Sequence, residues 1–556
     1  MNKILRRALA ATLLVAVVLT TCSCGLIDSI LGKQPEPPAG NNPPSSNPPD
    51  DTPVLTGVDK VIADARAATD KRIEEIRNAP NMEIPEDATV YYVSEYGDDE
   101  NDGLTEDTAW LTLDKVNAVY LTPGTYVCFQ RGSTWRGYLN AQPGVTYTAY
   151  GEGDKPILMA SPENGADPDM WEETEYENVW KYKTKFDLDV GCIIFNEGEF
   201  LGEKQHLVSV ADTDNTWTFP AIPDELKSET YYNGTTMEKW EGLSSMSKEL
   251  QFFHSSRTTK LCEGDINDKV VYLYCEGNPG EKYDSIEFNI RQHIINAEGK
   301  DITINNLCLK YTGAHGVSAV NVENLTTSEL EVGYIGGSIQ SGTTRFGNGI
   351  QVWNYCDGWV CEDNYVYQCY DAGITPQTNA SNIATSPYNQ HNMTIKNNVI
   401  EKCVYSIEYF ISSEDVMQYF KNFIIEDNYM WYAGEGICET RRDREVASHL
   451  KGRGAVPQTL KNYAENFVIR NNVMIGSTDF VFETRFSGDS MTEEMKENSK
   501  PLYENNIMVA GSHNYAGIGF YVWEKGVRPE MIDFDEDLET LLNSEYGSGN
   551  ECWIKD

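Results

Sequence analysis

The sequence predicts an all-β solenoid, a parallel β-helix carrying an inserted β-rich module and a C-terminal cap, and three observations predict it. Seven short segments between residues 301 and 509 are brief alternating strands of one pattern: DITINNLCL, NLTTSELEV, GWVCEDNYV, NMTIKNNVI, NFIIEDNYM, NFVIRNNVM and PLYENNIMV. Five of them place an asparagine identically, at Asn364, Asn398, Asn428, Asn472 and Asn506. These markers are spaced by 34, 30, 44 and 34 residues, a coil plus loops of varying length. Such self-similarity is the mark of a chain whose coils bury their apolar faces against one another. Asparagine tolerates turn geometry and carries both a donor and an acceptor, so its recurrence predicts amides bonded from coil to coil.

The elements follow in chain order. In residues 1–24, Lys3, Arg6 and Arg7 precede an apolar run at 8–19 that ends near Cys22 and Cys24, the pattern of a lipoprotein export signal with lipidation expected at Cys22. An ordinary secretory signal cleaved nearby is the alternative. Residues 25–56 are a Pro/Asn/Ser tether, and 57–82 an amphipathic helix. Residues 88–160 hold the first coils. Their Asp/Asn/Gly run at 98–103 could hold calcium, although a solvated turn accounts for the same composition, and no cofactor is required. The repeat is lost across 161–290, read as a β-rich insertion, and returns for the core at 291–525. Residues 526–556 read as a helical cap, which the open end of a solenoid requires.

Composition narrows the function. With 86 acidic and 44 basic residues the net charge is −42, which argues against nucleic acid as a partner. The 13 cysteines show no CxxC pairing and no Cys/His cluster, so no structural metal is expected; after Cys22 and Cys24 they read as small buried residues.

The segments VYYVSEYGDDENDG with AWLTLDKVN, GDKPIL, YIGGSIQ with TTRFGNGIQVW, YQCYDAGIT, and VYSIEYF resemble secreted bacterial right-handed parallel β-helix repeat proteins of the pectate-lyase-like superfamily, over roughly residues 88–525. The resemblance implies a right-handed coil and a carbohydrate substrate, because the superfamily holds lyases, polygalacturonases, xylosidases and fucosidases. It does not choose the reaction. Neither the polygalacturonase signatures nor a pectate-lyase calcium cluster carries over, and Gly313-Ala314-His315-Gly316 is only loosely similar to the polygalacturonase histidine segment.

The site is therefore read from the residues. Aligning GNGIQVW, YDAGIT, VYSIEYF, GEGICET and TDFVFET puts Ile350, Ile374, Ile407, Ile437 and Val481 inward. Gln351, Thr375, Glu408, Cys438 and Phe482 then point outward, as does Asp371 by the same parity. Asp371 and Glu408 are the expected catalytic pair, as acid and base or nucleophile, although a regular strand separates them by about 13 Å. Glu439 is a third candidate acid, with strict parity against it. A concentration of charge follows in which Arg442, His449 and Lys451 would hold substrate, although alternating charges also suit a self-paired loop. Trp353, Tyr409 and Trp431 are expected as sugar platforms and Gln377 as a partner for sugar hydroxyls; core filling is the competing role for the aromatics.

Together these features point to an exported lipoprotein of the bacterial cell surface, held to the membrane through its lipid alone. It would be a glycoside hydrolase acting on polysaccharide or oligosaccharide. A polysaccharide lyase acting on uronic-acid glycans, with Lys451 or an arginine as base, and a non-catalytic glycan-binding protein are the alternatives. Sugar identity, linkage, stereochemistry and oligomeric state are not legible.

Overall fold

The computed structural model describes residues 55–556 except 206–207, 212–215, 220–235, 240–241, 255, 257–267, 342–343, 380–389, 413–417, 442–446, 454–461, 488–491 and 522–530. The signal, Cys22 and nearly all of the tether lie outside the described residues, as does Arg442. The chain is mostly β, dominated by one large sheet system in which strands pair in parallel with those one turn further on.

Three rows of strands run through this system, each with an inward apolar column. In the first row Val317, Ile350, Ile374, Ile407, Leu450, Phe482 and Ala516 stand in register. In the second the column is Leu325, Trp359, Met393, Phe423 and Phe467. In the third it is Leu309, Val332, Val366, Ile400, Met430, Met474 and Met508. Nearly all of these side chains are fully buried. The alternation of the sequence is what allows this, since every second residue of a strand faces the same side. Five strands of these rungs matter below: β1 (Ile350–Glu362), β2 (Tyr365–Asn379), β3 (Val399–Ser412), β4 (Ser448–Arg453) and β5 (Phe480–Ser487).

The turn between the second and third rows holds the marker asparagines. Each side-chain oxygen accepts from the amide of the preceding marker: Asn364 from its Nδ2 to Asn398 (2.9 Å), Asn398 to Asn428 (2.9 Å), Asn428 to Asn472 (2.9 Å) and Asn472 to Asn506 (3.1 Å). A sixth member, Asn550, extends the line at 2.9 Å. The residue before each of the five markers has positive φ, from 52° at Asn505 to 58° at Asn397. Only residues that tolerate the left-handed region fit there, which explains the repeated Asp-Asn and Asn-Asn pairs.

A helix, α1 (Gly57–Arg77), lies across the outer side of the third row. Arg77 pairs with Glu331 at 3.2 Å, Arg72 donates to the Asn397 carbonyl at 2.9 Å, and Arg66 bonds Glu401. The Trp431 indole donates to Thr69 at 2.9 Å. At the helix start Asp59 bonds Lys555 at 2.5 Å. Among the described residues no helix is long and apolar enough to cross a membrane.

The segment 161–290 leaves the rungs and forms small sheets of its own, including a three-stranded one from Val190–Phe195, Phe200–Leu201 and Ile286–Ile290. It is seated on the loop after the third row. The buried Asp189 accepts from the Ile339 amide at 2.9 Å and pairs with Lys204 at 2.7 Å. A Cβ at Gly191 would lie 2.1 Å from the Ser338 nitrogen, so only glycine permits this approach. At the other end, the tail is less helical than the sequence suggests. After Glu536–Leu541 it adds Gly547–Ser548 and Glu551–Ile554 as further parallel strands. Its apolar residues alternate over too few positions for the pattern to be seen. The described cysteines are free thiols, all buried except the half-buried Cys552.

Candidate active site

The outward side of the first row carries the chemistry. Beside the inward column stand Ser318, Gln351, Thr375, Glu408, Lys451 and Glu483, one per rung. Although they point away from the core, Gln351, Thr375, Lys451 and Glu483 are buried. This row is thus an enclosed polar floor. The Thr375 hydroxyl is buried with no hydrogen-bond partner, between Gln351 and Glu408.

Glu408, on β3, is partly buried and accepts from Gln377 Nε2 at 2.6 Å. Gln377 lies two residues past Thr375, and Trp353, its register partner on β1, remains partly exposed beside it. On β4 the Lys451 ammonium hydrogen-bonds the Tyr405 hydroxyl and lies 3.8 Å from that ring's centroid. Asp371 sits where β2 bulges: Cys369 pairs with Cys403 and Ala372 with Tyr405, so two residues of β2 stand against one of β3. The Asp371 backbone packs on Gly347, where a Cβ would come within 2.7 Å of its nitrogen. Its carboxylate meets Arg441 at 2.7 Å, both side chains being largely buried.

Tyr405 joins these parts. Burial pushes its phenol up; the Lys451 and Arg441 charges oppose that, and Glu408 and Asp371 add to it. Both candidate carboxylates and both cations therefore act on one phenol at the floor of the row.

Several expected positions are corrected. Tyr409 is 1 % exposed and packs inside the coil against Phe420, Phe423 and Phe467, because Glu408 takes the outward position and its neighbour must turn in. Trp431 is fully buried beneath α1, with the Arg66 guanidinium 5.1 Å from its ring, so it cannot stack on a sugar. His449 is 1 % exposed, with Nδ1 3.1 Å from the Ser406 hydroxyl; burial pushes it down to about 3, so it is a neutral wall residue. Glu439 is exposed on the short turn Gly436–Thr440, where it accepts from the Gly436 amide at 2.8 Å. Ile437 belongs to that turn, packed with Cys192, Ile194 and Tyr370, and not to the inward column, where Leu450 takes its place. In β5 it is Phe482 that faces inward, so Glu483 faces out. Reading Val481 as inward concealed it.

The contact of Tyr405 with Lys451 and the place of Glu483 were thus missed. The signal for the first was its place three residues before Glu408 in VYSIEYF; for the second, the ambiguous run FVFET offers two parities.

A separate cavity of about 710 Å³ lies beneath α1, lined by Arg66, Arg77, Lys310, Glu331 and Glu401 among others. Its charges already pair across the helix–sheet joint, Arg66 with Glu401 and both Arg77 and Lys310 with Glu331. The outward row is the better candidate. Among the described residues no cluster of His, Cys, Asp or Glu has the arrangement of a metal site.

No family model matches the chain. A segment of 156 residues is 33% identical to a lacto-N-biosidase of Bifidobacterium longum subsp. longum, covering 24% of this chain and 9% of that protein. The chain therefore spans a small fraction of that relative's length. A solved glycoside hydrolase aligns over 77% of this chain and 89% of its own with a TM-score of 0.51 and 12% identity. It shares the fold. The lacto-N-biosidase of Eubacterium ramulus, of family GH136, aligns over 77% of this chain and 65% of its own at a TM-score of 0.33 and 12% identity.

Proposed function

We propose that the protein is a glycoside hydrolase built on a right-handed parallel β-helix, exported and tethered to the bacterial surface through Cys22, and acting on a polysaccharide or oligosaccharide. The observation that carries this reading is the placement of two carboxylates on adjoining strands beside an enclosed polar floor, Asp371 held by Arg441 and Glu408 by Gln377. Glycosidic cleavage needs a proton donor to the leaving oxygen and a second carboxylate that acts as base or nucleophile through an oxocarbenium-like state. Arg441 fixes the Asp371 carboxylate in place through an ion pair at 2.7 Å, which suits the second role. Glu408, anchored through one oxygen by Gln377, would donate the proton from the other. Trp353 offers a partly exposed ring beside Gln377 for the face of a sugar. Similarity to carbohydrate-active enzymes supports the substrate class without identifying the sugar.

The test incubates the protein from residue 57 onward with neutral and uronic polysaccharides and oligosaccharides, reading reducing ends and ultraviolet absorbance together, beside Glu408→Gln and Asp371→Asn. New reducing ends without absorbance, lost in both variants, are the expected result. Hydrolysis that survives both substitutions would refute the assignment. A second reading is favoured by the Lys451–Tyr405 contact, since an amine and a phenol in direct hydrogen bond suit the proton removal of a lyase. Absorbance rising with the reducing ends would select it. Binding without either product would leave a glycan-binding protein.

A further inference from the structure

Glu408, Lys451 and Glu483 occupy successive rungs of one row, and each points away from the core. Strands in register lie about 4.8 Å apart, so the two glutamates are about 10 Å apart at their Cα atoms with the lysine midway. Lys451 is 2 % exposed and Glu483 4 %, and charges so enclosed are poorly screened. The ammonium is bonded to the Tyr405 hydroxyl on the strand of Glu408.

We propose that Glu483 is a positioning residue: with Lys451 it sets the proton occupancy of Glu408, the two glutamates titrating as a coupled pair across the lysine. This rests on the hydrolase reading for its consequence, the supply of the catalytic proton, but not for the coupling itself. A like charge favours the protonated form of its neighbour and an opposite charge the ionised form. Glu483 therefore holds the proton on Glu408, and Lys451 limits how tightly. Without Glu483 the donor would ionise too early in the pH range. Without Lys451 it would release its proton too reluctantly.

Other polar and charged residues stand on the strands and turn around Glu408. On its own strand there is Tyr405; from β2 come Asp371, Thr375 and Gln377; from the turn after Gly436–Thr440 comes Arg441. On β4, His449 is neutral, and Arg453 stands level with Phe410; on β5, Arg485 stands level with Arg453. These remain in place in every variant below, so the differences isolate the Glu408–Lys451–Glu483 row.

The coupling is measured without activity. The protein from residue 57 onward is labelled with ¹³C at glutamate carboxyls, the Glu408 signal is assigned by its loss in Glu408→Gln, and its midpoint is followed with pH. Glu483→Gln should lower that midpoint by about one unit, and Lys451→Met should raise it by at least about one, from unit charges at these separations. Lys451→Arg should hold it near the native value, and Lys451→Met with Glu483→Gln should return it part of the way. The basic limb of kcat should move in the same directions, which a residue serving only to fill space would not cause. A midpoint that stays put in both Glu483→Gln and Lys451→Met, with folding verified by circular dichroism, overturns the proposal. If Glu408→Gln keeps full hydrolysis, the hydrolase assignment fails while the titration still decides the coupling.

Discussion

Replacing Asn428 by alanine tests the amide line where it is deepest. The side chain makes four bonds: Nδ2 donates to the Ile395 carbonyl at 3.0 Å and to Asn472 at 2.9 Å, and Oδ1 accepts from the Asn398 backbone amide at 3.0 Å and from the Asn398 side chain at 2.9 Å. After truncation Asn398 Nδ2 still reaches the Cys361 carbonyl and Asn472 Oδ1 still accepts from the Asn428 amide. The Asn398 backbone N–H loses its acceptor in a site with no exposure. One orphaned buried donor costs about 1–3 kcal/mol and each remaining bond about 0.5–1, so the expected loss is about 3–5 kcal/mol. The comparison is Asn422→Gly in the exposed amide line, where Asn422 bonds Asn392 at 2.8 Å and accepts from Asn466 at 3.0 Å. Water replaces those bonds and glycine keeps the positive φ of 53°, so about 1 kcal/mol or less should be lost. Urea unfolding followed by tryptophan fluorescence, with hydrogen exchange at the Asn398 amide, reads both. An Asn428→Ala loss no larger than that of Asn422→Gly would refute the account of the ladder.

Trp431→Ala should cost about 3–5 kcal/mol and expose α1 to protease, because it opens a large hole under the helix, while KM stays unchanged; a rise in KM alone would return the tryptophan to a sugar-binding role. Arg441→Ala should lower kcat by up to about 100-fold in the reducing-end assay as Asp371 loses its fixed partner, and full activity would remove Asp371 from the pair. His449 gives a pH prediction. Its folded form is pushed down to about 3, whereas the unfolded chain takes a proton near about 6.5, so the unfolded state binds more protons between these values. Its contribution is complete above about pH 6.5 and falls toward pH 3 at a slope approaching about 1.4 kcal/mol per pH unit. His449→Asn should flatten the dependence of the urea midpoint between pH 7 and 4, and an unchanged slope would contradict it.

What the sequence revealed follows from where its pattern is redundant. The Asn turns recur in five segments, and the alternation around Ile350, Ile374 and Ile407 admits one parity, so the row containing Glu408 could be aligned without coordinates. The next interval, 44 residues between Asn428 and Asn472, holds a short turn and an extra strand, and the inward position passes from Ile437 to Leu450. In the FVF of β5 both parities bury an apolar residue, which hid Glu483. Tyr409 and Trp431 were misread for another reason. An aromatic ring has the same signature in a core and in a groove, and the cover over Trp431 is supplied by Thr69, 362 residues earlier in the chain. The bulge that holds Asp371 likewise depends on a tertiary contact with Gly347.

α1 has the properties of a gauge. Its 21 residues, at about 1.5 Å each, measure about 31 Å. From Arg77 on Glu331 to Asp59 on Lys555 it crosses the third-row rungs of Glu331, Tyr365, Glu401, Trp431, Ile475, Val509 and Trp553, six intervals of about 4.8 Å or about 29 Å. The two lengths match. A chain with one rung more or fewer could still stack its coils, but one end of the helix would miss its partner. The stretch of rungs from Glu331 to Trp553, which by its own pairing could be any length, is in this way tied to a fixed count of turns.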